Sequence, residues 1–229
     1  MKSQVVIPAA GLGRRIKSDI PKPLILLKHK PIIVYSLEVF EKSASIDSVI
    51  LVVNQDHINA YASVIEKYHL KKVKKIIPGG LTRCDSVYRG LKNVDEDTEI
   101  ILIHDGARPL VSIKTVEDAV ELLSMHEAVV VAVPVKPTIK RVDKKEGVVL
   151  ETLNRAEPWE AQTPQIFRKD VLERAYQNSG DISPTDEAAL VERLGVKVKI
   201  VEGEYTNIKI TTVEDLAVAE AFLNLPRGV

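Results

Sequence analysis

The chain has 229 residues, 45% hydrophobic and 28% charged, and its 32 basic and 32 acidic side chains cancel. These are ordinary values for a soluble globular protein, and the zero balance argues against one that coats nucleic acid or an anionic membrane. The single cysteine, Cys84, rules out an intrachain disulfide; no apolar run suits a signal peptide or a membrane span, so the cytoplasm is the expected compartment.

Short β-branched runs alternate with longer amphipathic stretches. Val5–Ile7 reads as a buried strand. Pro31 reads as the first residue of a helix whose apolar positions run from Ile32 to Phe40. Ser48–Val53 is the second strand, and Asp56 is placed to cap a helix to about Tyr68. Lys75–Ile77 is the third strand, closed by Pro78-Gly79-Gly80, and Thr82 caps a helix through Leu91. Ile100–Ile103 is a fourth strand, Ser112 opens a helix to about His126, and Ala128–Val133 is a fifth strand. This rhythm predicts an α/β fold: a mostly parallel central sheet, apolar on both faces, between helical layers in a Rossmann-like three-layer arrangement.

The rhythm breaks at Pro134. Residues 136–158 read as a protruding β-hairpin arm, with strands Thr138–Val142 and Val148–Thr152 around Asp143-Lys-Lys-Glu-Gly147. A two-stranded hairpin is marginal alone in water, so a homodimer is expected, with the arm as its docking element. Helices are expected near Lys169–Gln177, Asp186–Leu194 and Val213–Leu223, with a strand near Val196–Val201. Trp159 is expected to anchor the arm to the body. The whole chain, 1–229, reads as one domain.

The first segment with chemical content is Pro8-Ala9-Ala10-Gly11-Leu12-Gly13-Arg14-Arg15, directly after the first strand. Small residues there let backbone N–H groups approach phosphates, and the arginines supply charge. A P-loop needs Gly-Lys-Ser/Thr, which is absent. A dinucleotide fingerprint needs Gly or Ala where Ile16 stands and an acid where the second strand ends in Val53-Asn54, which disfavours an NAD-dependent oxidoreductase.

Pro-Ala-Ala-Gly-x-Gly-x-Arg followed by Pro21-Lys22 resembles the signature loop of nucleotidyltransferases that act on sugar phosphates. More segments follow in register: Gly79-Gly80-x-x-Arg83-x-x-Ser86, His104-Asp105-Gly106-Ala107-Arg108-Pro109, Pro137-Thr138-Ile139-Lys140, Asn154-Arg155, Thr163-Pro164-Gln165, Thr185-Asp186-Glu187 and Asn207-Ile208-Lys209. Together they resemble the 2-C-methyl-D-erythritol 4-phosphate cytidylyltransferase family, from Ile7 to about Asp215. The sequence departs from that family's pattern at Pro23, Leu81 and Gly106.

The resemblance implies transfer of a cytidylyl group from CTP to a small sugar or polyol phosphate, with release of pyrophosphate, by a homodimer that uses neither nucleic acid nor membrane. Attack of one phosphate on another concentrates negative charge, which fixed cations and Mg²⁺ must offset. By resemblance, Arg15 and Lys22 stabilise the transition state, and Arg155 and Lys209 position the acceptor phosphate. Pro8, Ala9, Ala10, Gly11, Gly13, Gly80, Ser86 and Gly106 join Arg15, Lys22 and Lys209 in holding the nucleotide. Asp105, Arg108, Thr138, Arg155, Thr163 and Thr185 contact the acceptor, with Thr138 and Arg155 reaching the partner subunit's site from the arm. Asp105 can bond a substrate hydroxyl, the ribose or Mg²⁺, or cap the next turn; Arg108 binds phosphate or braces its loop. No metal-ligand spacing appears among His and Cys, so Mg²⁺ is expected on the CTP phosphates, with Asp105 within reach. His104, after a buried strand, reads as a hydrogen-bonded structural group. The competing readings are a ribitol 5-phosphate cytidylyltransferase and a non-catalytic nucleotide-binding module.

Overall fold

The structure, a computed structural model, describes residues 1–11, 20–180 and 184–225. The strands are β1 (Ser3–Ala9), β2 (Leu26–Leu27), β3 (Lys30–Pro31), β4 (Ser48–Val53), β5 (Val73–Pro78), β6 (Ile100–Ile103), β7 (Ala128–Pro134), β8 (Lys140–Asp143), β9 (Val148–Thr152), β10 (Trp159–Arg168) and β11 (Val198–Glu202). The helices are α1 (Ile32–Lys42), α2 (Ile58–Lys67), α3 (Arg83–Leu91), α4 (Ile113–Leu122), α5 (Lys169–Gln177), α6 (Glu187–Glu192) and α7 (Val213–Leu223).

Seven strands form the central sheet, in the order β5-β4-β1-β6-β10-β7-β11. All pairs are parallel except those of β10, which runs antiparallel to both β6 and β7. Side chains alternate between two apolar faces. Val5, Ile7, Val49 and Leu51 pack with α1, α2 and α4 on one side. Val6, Ile50, Ile101 and Ile103 pack with α3, α5 and α6 on the other. Strands buried on both faces have no polar alternation, which is why they read as continuous apolar runs. A smaller cluster of Leu27, Ile32, Ile210 and Ala219 seats α7 beside β2.

The expected α/β/α architecture is present, and the differences are local. The Trp159–Arg168 strand was not anticipated. Pro164 and the polar Gln162, Thr163 and Gln165 interrupt its apolar pattern, yet these residues are buried because they build the site edge. Trp159 opens β10 where the arm rejoins the body, paired with Pro134 and with its side chain exposed. Asn54, not Asp56, makes the cap after β4: its side chain accepts from the Asp56 N–H at 2.8 Å. Pro31 is the N-cap of α1 rather than its first residue. α4 stops at Leu122, short of His126. The arm's first strand starts at Lys140, beyond Thr138.

β8 and β9 form a separate antiparallel pair. Their turn is closed by the Gly147 N–H donating to the Asp143 carbonyl at 2.8 Å, with Gly147 at φ +70, a conformation that favours glycine. Val142, Val148, Val149 and Leu150 are all exposed on the arm. No helix among the described residues is long and apolar enough to cross a membrane.

Candidate active site

Ligands of open α/β sheets bind beyond the carboxyl ends of the strands, and here the ends of β1, β5 and β6 converge. Pro8, Ala9, Ala10 and Gly11 carry β1 outward. Gly79-Gly80 ends β5, and His104-Asp105-Gly106 follows β6. A cleft of about 300 Å³ is lined by those β1 residues together with Lys22, Gly80, Ser86, Gly106 and Lys209. A second cleft, of about 150 Å³, takes in Arg108, Thr163 and Thr185. Arg83, Asp105 and Lys209 line both, so the clefts adjoin at those three side chains. Gly13 and Arg15 lie outside the described residues. Thr138 and Arg155 line neither cleft: both are exposed on the arm, where Arg155 Nη2 donates to the Lys136 carbonyl at 3.3 Å.

The loop after β5 is shaped by sterics and by one hydroxyl. A Cβ on Gly80 would meet Asp85 Cβ at 2.2 Å, and one on Gly79 would meet Ala10 Cβ at 2.5 Å. Ser86 Oγ accepts from the Gly80 N–H at 3.1 Å and donates to the Thr82 carbonyl at 2.9 Å. Its single proton is therefore spent inside the loop, and Ser86 can serve a ligand only as an acceptor. Thr82 and Asp85 form a capping box at the start of α3. That box orients Arg83 into the site.

Arg83 is the residue the motif contained without a role. Its Nε donates to Asp105 Oδ1 at 2.9 Å, and its Nη1 reaches both Glu187 oxygens, at 2.9 and 3.0 Å. Lys209 Nζ lies 2.8 Å from the other Asp105 oxygen. Burial alone would push the Asp105 carboxyl up; the charges of Arg83 and Lys209 outweigh it and hold the group far below the usual carboxylate range. Burial likewise pushes Glu187 up, and Arg83 draws it back in part. Tyr176, whose phenol is held above its ordinary range by burial and by Glu187, donates to Glu187 Oε1 at 3.2 Å. Lys22 Nζ donates to the Ile210 carbonyl at 2.8 Å, one residue beyond Lys209.

His104 is fully buried, and burial lowers its pKa to about 4, so it is neutral near pH 7. Thr163 Oγ1 accepts from the Asp105 N–H at 3.0 Å and lies 3.1 Å from His104 Nδ1. The hydroxyl proton then goes to Nδ1, and Nε2–H donates to the Arg108 carbonyl at 3.1 Å. Thr163 thus fixes the backbone of Asp105. Arg108 donates to the Asn207 carbonyl at 2.7 Å and to the Ala161 carbonyl at 3.3 Å, the geometry of a brace. Asn207 in turn donates to the Thr163 carbonyl at 3.0 Å. Lys209 lies outside any regular strand. Ile210 is buried, and Lys209 lines both clefts.

The donor set does not make a resident cation cage. Asp105 is the only carboxylate lining the larger cleft among the described residues, and both its oxygens are held by cations. No group of three or more His, Cys, Asp or Glu is arranged around a common point among those residues. What the site offers is fixed positive charge beside glycine-rich backbone, which suits phosphate groups.

Residues 3–225 match the family model described as IspD: 2-C-methyl-D-erythritol 4-phosphate cytidylyltransferase. The chain is 45% identical over 226 residues to a 2-C-methyl-D-erythritol 4-phosphate cytidylyltransferase of Alkaliphilus metalliredigens (strain QYMF), covering 97% of this chain and 93% of that one. It is 44% identical to the protein of the same name from Alkaliphilus oremlandii (strain OhILAs), covering 99% and 97%. Among solved structures it is similar to the 4-diphosphocytidyl-2C-methyl-D-erythritol synthase of Anaerococcus prevotii DSM 20548. The TM-score is 0.87 at 32% identity, over 98% of this chain and 96% of that one.

Proposed function

The chain belongs to the 2-C-methyl-D-erythritol 4-phosphate cytidylyltransferase family, and from that premise we infer that its two adjoining clefts take CTP and 2-C-methyl-D-erythritol 4-phosphate. The enzyme is a nucleotidyltransferase of non-mevalonate isoprenoid biosynthesis. An oxygen of the acceptor phosphate forms a bond to the α-phosphorus of CTP. The bond from that phosphorus to the oxygen bridging to the β-phosphate breaks, and pyrophosphate leaves with the electron pair. The product is 4-diphosphocytidyl-2-C-methyl-D-erythritol.

The larger cleft takes the nucleotide. Backbone from Pro8 to Gly11 and the Gly80 loop approach it, and Lys22 supplies charge beside the phosphates, with Arg15 and Gly13 assigned to the same task. The smaller cleft takes the acceptor, near Arg108, Thr163 and Thr185. Lys209 stands where the clefts meet, which suits it to hold the attacking phosphate in line. No general base is needed, because the acceptor phosphate is already anionic near neutral pH. His104, buried and neutral, is not placed for one.

Mg²⁺ belongs to the proposal as a passenger on the CTP phosphates, where it neutralises charge. The described residues do not form a cage for it, and no step here depends on one. A homodimer also belongs to the proposal. The exposed Val142, Val148, Val149 and Leu150 give the arm an apolar surface to bury, and Thr138 and Arg155 on the same arm line neither of the two clefts described. Docking onto a second copy would bring them to the partner's acceptor cleft.

The observation that carries the reading is the junction of two polar clefts at Arg83, Asp105 and Lys209. Phosphorus NMR of the protein with CTP, Mg²⁺ and 2-C-methyl-D-erythritol 4-phosphate tests it. The expected result is stoichiometric appearance of a diphosphate diester and free pyrophosphate. Hydrolysis of CTP alone, or binding without turnover, would contradict it.

A further inference from the structure

Glu187 lines neither cleft and is fully buried, yet it bonds the residue on which the junction depends. Tyr176 donates to Glu187 and Glu187 accepts from Arg83. Arg83 donates to Asp105, and Lys209 bonds the remaining Asp105 oxygen. Each group is thus held by the next, from the interior to the cleft. We propose that Glu187 is a positioning residue for the transfer reaction: by holding Arg83 from behind, it limits Arg83 to one oxygen of Asp105 and leaves the other to fix Lys209. This rests on the reading of the clefts given above.

Charge and geometry both support it. Arg83 Nη1 lies within 3.0 Å of both Glu187 oxygens, so Nη1 is committed to Glu187 and Nε to Asp105. A guanidinium can grip a single carboxylate with two parallel bonds. Deprived of Glu187, Arg83 would turn that grip on Asp105, the nearest remaining anion. Lys209 would then lose its partner and its fixed position. Glu187 is held in place by three independent features: it opens α6 directly after the Asp186 cap, it is packed beside Tyr176, and its α6 neighbours Ala188, Leu190 and Val191 are buried. A rigid anchor of this kind keeps a cleft cation aligned before substrate arrives.

The test compares the unaltered protein with Glu187→Gln, Arg83→Gln and the double variant. One readout is independent of turnover: the rate at which an amine-reactive probe labels Lys209, followed by peptide mass spectrometry without substrates. Faster labelling in Glu187→Gln, by several-fold, is the expected result, and an unchanged rate overturns the proposal. In turnover, kcat should fall on the order of 10- to 100-fold, with KM for CTP nearly unchanged, since the Gly80 loop and Lys22 are untouched. The double variant should lose no more than Arg83→Gln alone, because Glu187 acts through Arg83. Additive losses would mean that Glu187 only supports the fold. If the unaltered protein makes no product, the reaction assignment fails, while the labelling result still decides the role of Glu187.

Discussion

The ammonium of Lys209 lies 2.8 Å from the carboxylate of Asp105, although one residue follows β6 and the other lies near the end of the chain. The same carboxylate holds Arg83 on its other oxygen. Arg108 Nε lies 3.8 Å from the same oxygen as Lys209, so Asp105→Asn removes an anion shared by three cations and leaves each with one partner fewer. Breaking a fully buried pair from one side costs about 3–5 kcal/mol, and the partial exposure of Lys209 and Arg83 reduces this to about 1–3 kcal/mol. Chemical denaturation at neutral pH should show a loss of that order, with turnover reduced in protein that remains folded.

Lys209→Ala should lower kcat by about 10²–10³-fold, the effect of withdrawing one fixed donor from a developing anionic centre. Lys22→Ala should behave similarly. Calorimetry with CTP should show a much smaller change in affinity for both variants, since the proposed site assigns much of the nucleotide contact to backbone. Near-normal turnover in both would remove these lysines from the mechanism.

Gly80→Ala addresses the loop after β5. The new Cβ would fall 2.2 Å from Asp85 Cβ and 3.2 Å from the Asp85 carbonyl carbon, so the backbone must move. The capping box and the Ser86 contact sit on that backbone. CTP affinity should drop at least tenfold, about 1.4 kcal/mol, and thermal stability should fall as the cap of α3 is disturbed. Unaltered affinity would detach this loop from the nucleotide.

His104 makes a pH signature. Its pKa is about 4 in the folded protein and about 6.5 when unfolded. A depressed pKa contributes stability that is complete above the unfolded value and is lost as pH falls through the folded one. Between pH 7.5 and 4 the native protein should lose about 3 kcal/mol through this residue. His104→Gln should show a flatter dependence in urea titrations over the same range, and parallel curves would contradict the assignment.

Much of the scaffold could be read in advance because its signals are local. Thr82 and Ser112 each precede a helix as caps, and β4 and β6 are uninterrupted β-branched and leucine runs. β10 was hidden because its buried Gln162, Thr163 and Gln165 resemble loop residues until their partners are known. Gln162 donates to the Glu204 carbonyl and Gln165 to Asp186, both contacts between distant segments. The same reason concealed Arg83 and Glu187. Both stood inside recognised motifs, but their pairing joins α3 to α6, and no spacing within the chain expresses that. Arg108 reads from sequence as either a phosphate contact or a loop brace, and its bonds to the Asn207 and Ala161 carbonyls supply the brace, while the Thr163 hydroxyl is engaged by the Asp105 N–H.

Replacing Val149 and Leu150 by Asp places charge on the arm's exposed apolar surface. Sedimentation should show the unaltered protein as a dimer and the double variant as a monomer. Activity should fall with dissociation, because Thr138 and Arg155 would no longer reach a partner's cleft. A monomeric variant with full activity would place the complete site within one chain.

The most direct measurement is the rate of pyrophosphate release from CTP with each of two acceptors, 2-C-methyl-D-erythritol 4-phosphate and ribitol 5-phosphate, in separate reactions. The account predicts rapid, saturable release with methylerythritol phosphate and a far lower kcat/KM with ribitol phosphate. Preference for ribitol phosphate, or no release with either while CTP still binds, would contradict it.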